Sequence, residues 1–220
     1  MKSDELKIAK MLATIRAHEE YTKDEFPGIS ISEKILKAMS KVPREPFVPS
    51  NIAQYAYDDS PLSIGYGQTI SQPYIVALML ELLKPTADAK VLEIGTGSGY
   101  NAAVLSKLVK DVFTIEVVPD LLKKAEKVFS NLSITNIKSK CDDGNLGWYE
   151  YAPFDGIIVT AYAESIPPKL IEQLKIGGRM IIPLEKNDYS QKLSIIKKQS
   201  NAKLEEIETI EVRFVPLIKN

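Results

Sequence analysis

Three glycines at alternate positions follow an acid in the run VLEIGTGSGY: Glu93 stands first, then Gly95, Gly97 and Gly99, with Thr96 among them. Glycine lets a backbone turn tightly and approach a ligand where a Cβ would collide. Three of them between a strand and a helix exceed what a plain tight turn needs, so the loop reads as a nucleotide site. Its spacing is G-x-G-x-G, and Tyr100 occupies the slot where a dinucleotide fingerprint has its last glycine. An acid just ahead of the loop would repel a pyrophosphate but can face a cation. S-adenosylmethionine carries an ammonium and a sulfonium and no phosphate, so on charge alone it suits the loop better than NAD. Two further acids fit the same ligand. Glu116 ends the next apolar run, roughly 20 residues after Gly95, where an acid commonly bonds ribose hydroxyls. Asp143, beside Gly144 in CDDG, is placed for the adenine amino group. Each also has a plainer reading, a solvated strand end for Glu116 and a turn-forming aspartate for Asp143. Their agreement with the glycine loop carries the argument.

A second stretch, IGYGQTISQPY at 64–74, is too polar for a core and too apolar for a linker. It leads into IVALMLELL, and Ser71 with Pro73 suits the N-cap and first turn of a helix ending near Lys84. Ser71 is therefore either a cap or a ligand contact, and a helix N-terminus favours an anion in both cases.

The elements that must position these residues follow from the pattern. Ser3 and Ser32 suit the caps of two early helices, the second ended by the prolines of VPREPFVPS. From Lys90 onward, apolar runs of four to seven residues alternate with helical segments. That alternation predicts right-handed crossovers and a mostly parallel sheet covered on both faces. KLSIIKK and IETIEVRFVPLI lack a helix between them, which predicts antiparallel pairing at that edge. The expected architecture is α/β: a doubly wound, mostly parallel, seven-stranded Rossmann-like sheet with an N-terminal helical and loop extension. One domain spans 1–220, the extension occupying 1–85 and the core 86–220.

Composition narrows the function classes. Lys+Arg 28 against Asp+Glu 29 argues against a general nucleic-acid binder. Cys141 is the single cysteine, so no internal disulfide forms and a reducing, cytoplasmic setting is expected. No apolar run approaches the ~20 residues of a spanning helix, and the charged start does not read as a secretion signal. No Cys–His or His–Asp arrangement is evident, and a zinc site is expected to fail for want of ligands. His18, the lone histidine, reads as a surface residue of the first helix, and Cys141 as packing at a strand end.

The loop EIGTGSGY, the stretch GQTISQPY, the segments VPREPFV and GGRMIIPL and the terminal RFVPLI together resemble the protein-L-isoaspartate (D-aspartate) O-methyltransferase family. The glycine loop alone is shared by class I methyltransferases; the combination of GQTIS-x-P with FVPL is more specific. The resemblance runs from roughly Val42 to Ile218 and implies methylation of the free carboxyl of isoaspartyl residues in aged proteins and peptides. The ester then collapses without enzyme to a succinimide. It further implies that the segment Thr69-Ile70-Ser71 lies over the sulfonium, that Ser71 meets the acceptor carboxylate, and that Gln68, Thr69 and Ile70 line the junction between the two sites. The segments containing Ala161 and Val215 would form the substrate walls, joined there by Thr69. Trp148 and Tyr149 are read as rim or packing aromatics. Two departures stand out: Asp142 replaces a glycine common in the family, and SQPYIV lacks the histidine some members carry after the serine. A methyltransferase of small molecules or RNA, a non-catalytic cofactor binder and a dehydrogenase are the competing readings.

Overall fold

A computed structural model of the protein describes residues 2–22, 28–186, 190–200 and 203–218. Two helices, α1 (Lys2–Thr22) and α2 (Glu33–Ser40), open the chain. Ser3 falls inside α1 rather than ahead of it, and Ser32 is the N-cap residue of α2 without a side-chain cap bond. Two short 3-10 turns follow, and then the extension, expected to hold helices and loops, forms a hairpin. Its strands are β1 (Leu62–Gly65) and β2 (Gln68–Ile70), paired antiparallel. Tyr66 and Gly67 turn it with φ of 56° and 70°. Helix α3 (Pro73–Leu83) comes next, its N-cap being Gln72 and not Ser71.

The core alternates as the sequence predicts: β3 (Lys90–Ile94), α4 (Tyr100–Leu105), β4 (Asp111–Glu116), α5 (Pro119–Asn131), β5 (Ile137–Cys141), β6 (Phe154–Val159), α6 (Pro168–Gln173) and β7 (Leu174–Glu185). Strands β8 (Gln191–Ser200) and β9 (Lys203–Val212) close the order β5-β4-β3-β6-β7-β8-β9. The first five strands in that order run parallel, and β8 and β9 add two antiparallel pairings. The chain direction reverses its march at β3, which has β4 on one side and β6 on the other. Crevices at such switch points are where open sheets bind ligands.

Alternation of side chains along the strands divides the interior. Val91, Val112, Ile158 and Ile181 face the helices α1 to α5, whereas Leu92, Phe113, Ile157 and Met180 face α6 and Trp148. Trp148 is buried against Phe113 and Tyr151, and Tyr149 is exposed. Cys141 is exposed on the edge strand β5, where packing was expected. No helix among the described residues is long and apolar enough to cross a membrane.

Candidate active site

Register brings the glycine loop to its neighbours. Ile94 pairs with Ile115 on one side and with Val159 on the other, so Gly95, Glu116 and Thr160 emerge together at the carboxyl edge. Gly95 has φ of +91°, and a Cβ there would lie 2.5 Å from Thr160 Oγ1. That hydroxyl donates to the carbonyls of Gly95 at 2.7 Å and Ile94 at 3.1 Å. Glu116 is only 6% exposed and accepts from Gly97 N at 2.7 Å and Val118 N at 3.0 Å. A carboxylate has about four lone-pair sites, so capacity remains for two hydroxyl donors. A Cβ on Gly144 would strike Ile94, so only glycine clears the floor here. Together with Gln68, Thr69, Ala161 and residues 215–218, these groups line a crevice of about 60 Å³.

Other expected contacts stand behind the loop instead of in the crevice. Glu93, expected to face a cation, is wholly buried and accepts from Asn101 Nδ2 at 2.7 Å and from Thr114 Oγ1. Burial pushes its carboxyl up to about 7, the two hydrogen bonds opposing the shift. Thr96 is buried with its hydroxyl 2.6 Å from that of Thr114. Gly99, φ +87°, is required by packing: a Cβ would lie 2.7 Å from the Phe129 ring on α5. Asp143 caps its own turn, accepting from Asn145 N and Nδ2 at 2.8 Å each. Asp142 turns back to Lys140 at 2.5 Å, and that bond holds its carboxyl below the usual range. Ile70 is buried beneath the hairpin.

Beside the crevice opens a cleft of about 470 Å³ between the end of α1 and the end of β9. Ser71 lines it, and so do Thr69, Thr160 and Val215, which also line the crevice. Ala161 lies on the crevice side only. The tail is strapped to the sheet edge by Tyr162 N donating to Val215 O at 2.9 Å and Leu217 N to Tyr162 O at 2.8 Å.

The start of α3 is not free to meet an anion, because Asp59 occupies it. Asp59 accepts from Tyr74 N at 2.9 Å and from Gln72 Nε2 at 2.8 Å, and lies 2.9 Å from His18 Nδ1. His18 is consequently no plain surface residue: it lines the cleft and stacks on Tyr74, centroids 4.1 Å apart. Arg44 is wholly buried, donates to the Ser71 carbonyl and lies 4.6 Å from the Tyr100 ring centroid. Burial lowers its guanidinium to about 10. Sequence reading missed Asp59, which sits in no motif, and gave no individual role to Arg44 within VPREPFV or to Thr160 beside Ala161; their convergence in the fold singles them out.

A crevice at the switch point of a parallel sheet, lined by a glycine loop and the strand-end acid Glu116, with an antiparallel pairing at the carboxyl-terminal edge, is the architecture of a class I S-adenosylmethionine-dependent methyltransferase. The family model described as "Protein-L-isoaspartate(D-aspartate) O-methyltransferase (PCMT)" matches residues 19–220. The chain belongs to that family. It is 44% identical over 209 residues to protein-L-isoaspartate O-methyltransferase 2 of Syntrophobacter fumaroxidans, covering 95% of this chain and 85% of the relative. A solved protein-L-isoaspartate O-methyltransferase superposes with TM-score 0.82 at 31% identity, covering 95% of this chain and 65% of the other. A candidate family member from Plasmodium falciparum, solved in complex with S-adenosyl-L-homocysteine, gives 0.78 at 26% identity, covering 94% of this chain and 98% of its own.

Proposed function

We propose that the protein moves the methyl group of S-adenosylmethionine to the free α-carboxyl of L-isoaspartyl residues in damaged proteins and peptides. The observation that carries this reading is the common wall of the two cavities, where Thr69, Thr160 and Val215 belong to both. A ligand in the crevice meets a ligand in the cleft there, with Ser71 on the cleft side. When bound, S-adenosylmethionine supplies an electrophilic methyl on a sulfonium.

The chain supplies position. Glu116 offers its remaining lone pairs to ribose hydroxyls, Gly95 and Gly97 allow close approach, and Gly144 leaves space for a flat base. Asp143 orders the turn that carries Gly144, while Glu93, Thr96 and Gly99 hold the loop from behind. Gln68 and Thr69 cover the junction, with Ile70 anchoring their hairpin. An α-carboxyl has a reference pKa of ~3.5, so the acceptor is already ionised at neutral pH and needs no general base. Ser71 donates its hydroxyl to that carboxylate, and the buried Arg44 places positive charge behind it. In-line positioning and exclusion of water supply the rest. The extension 1–85 provides Thr69 and Ser71 and the core provides Thr160, Ala161 and Val215, which supports a single functional unit over 1–220. The balanced charge supports peptide over nucleic acid or membrane as partner, and the single cysteine supports a cytoplasmic setting.

The test is labelled-methyl transfer to two peptides that differ only in isoaspartate or aspartate at one position. Base-labile label on the isoaspartyl peptide alone is expected; equal transfer to both, or to neither, would sink the reading. In the same assay Ser71→Ala is expected to lower transfer roughly 2- to 12-fold with cofactor affinity unchanged, the worth of one neutral hydrogen bond.

A further inference from the structure

A histidine near the end of a helix needs no supports, yet His18 has Tyr74, Asp59 and Gln72 against its ring. Its ring lies parallel to Tyr74, at 6° between planes. Its Nδ1 meets Asp59, which is itself held by Tyr74 N and Gln72 Nε2. Tyr74 is pinned in turn, its hydroxyl 2.6 Å from Thr22 Oγ1 on α1. The Asp59 side chain is 8% exposed and that of His18 33%, so the pair is buried at its acid end and open at its imidazole end. Both His18 and Ser71 line the cleft.

Stacking fixes the ring's plane; Gln72 Nε2 also lies 3.2 Å from Nδ1 but donates to Asp59 at 2.8 Å, and the carboxylate facing Nδ1 favours the tautomer with its proton there. With Nδ1–H donated to Asp59, the neutral imidazole keeps its lone pair on Nε2. Nε2 is then the ring nitrogen left to meet whatever lies in the cleft. We propose that His18 is a peptide-recognition residue, whose Nε2 accepts a hydrogen bond from a main-chain N–H flanking the residue to be methylated. The inference rests on reading this cleft as the acceptor site. It gives α1, distant in sequence from the glycine loop, a direct part in choosing peptides.

Two isosteres separate recognition from bracing. His18→Asn keeps an amide donor where Nδ1 meets Asp59 and removes Nε2; His18→Gln places an amide near Nε2. The Michaelis constant for an isoaspartyl peptide, kcat and the dissociation constant of S-adenosylhomocysteine would be measured for each. His18→Asn is expected to raise KM roughly three- to tenfold, with kcat and cofactor affinity within twofold of the parent, and His18→Gln to keep most of the parent KM. A parent-like KM in His18→Asn, or full rescue by Asn and none by Gln, would overturn the proposal and leave His18 a brace for Asp59. Absence of transfer by the parent protein would overturn the acceptor-cleft reading, and this inference with it.

Discussion

Glu93 shows how far a residue's job can depart from its motif. It opens the glycine-loop signature, yet it lies inside the protein between β3, β4 and α4, bonded to Thr114 and Asn101. Its carboxyl sits at about 7 against a usual 4.5 because burial disfavours the charge. A carboxyl raised in the folded state keeps its proton there after the unfolded chain has lost it. The folded chain therefore binds more protons between about pH 4.5 and 7, and stability falls as pH rises through that window. The loss amounts to about 3 kcal/mol in all, at roughly 1.4 kcal/mol per pKa unit. Glu93→Gln is expected to remove this slope, read from urea unfolding at pH 5 and pH 8. An identical slope in both proteins would assign it to other groups.

At the scale of elements, the glycine loop is held by what stands behind it as much as by its own glycines. Gly99 begins α4 in a left-handed conformation with α5 pressed against it, Phe129 and Ala125 lying where a side chain would go. Gly99→Ala combines an unfavourable positive φ with overpacking, and about 2–4 kcal/mol of destabilisation is expected by denaturant unfolding. A loss under 0.5 kcal/mol would mean that α4 and α5 separate easily. The hairpin of β1 and β2 has the complementary task on the outer side. It delivers Gln68 and Thr69 to the crevice while Ile64 and Ile70 anchor it in the core. Arg44 ties these parts together, bonding the chain after β2 at Ser71 and stacking on the first residue of α4. That carbonyl and that ring face its buried charge, with Asp59 also attracting it, while Arg44 Nε and Nη1 have no hydrogen-bond partner among the described residues.

For the whole molecule, the crevice proposed for the cofactor is a meeting point of distant chain segments: the hairpin, the ends of β3, β4 and β6, and the tail at 215–218. A ligand bound there stabilises the native state by mass action, about 2.7 kcal/mol at a hundredfold excess over its dissociation constant. With roughly 2–4 °C per kcal/mol for a chain of this size, S-adenosylhomocysteine is expected to raise the melting temperature by about 5–11 °C. Glu116→Ala is expected to abolish most of that shift at the same ligand concentration. A full shift in the variant would remove Glu116 from the cofactor site.

The order of strands and helices after Lys90, the antiparallel edge and the glycine loop were legible because each depends on residues near one another in sequence. Apolar periodicity and glycine placement report local backbone needs, and these survive in any context. The hairpin at 62–70 was less visible, since its two strands are short and its turn is Tyr66-Gly67, not a typical turn pair. Function at Ser71 could be suspected from its neighbours, but its place ahead of the helix, with Asp59 capping in its stead, could not. Asp59 was assigned no role and His18 a surface one because nothing adjacent marks them, while Arg44 within VPREPFV and Thr160 beside Ala161 were marked only as parts of their segments. Their roles arise from separations of tens of residues closed by packing, and no local pattern encodes which distant side chain will arrive. The sequence by itself determined the core elements and the kind of ligand; the tertiary structure decided which of its acids line the crevice, which are buried behind it and which residues wall the cleft beside it.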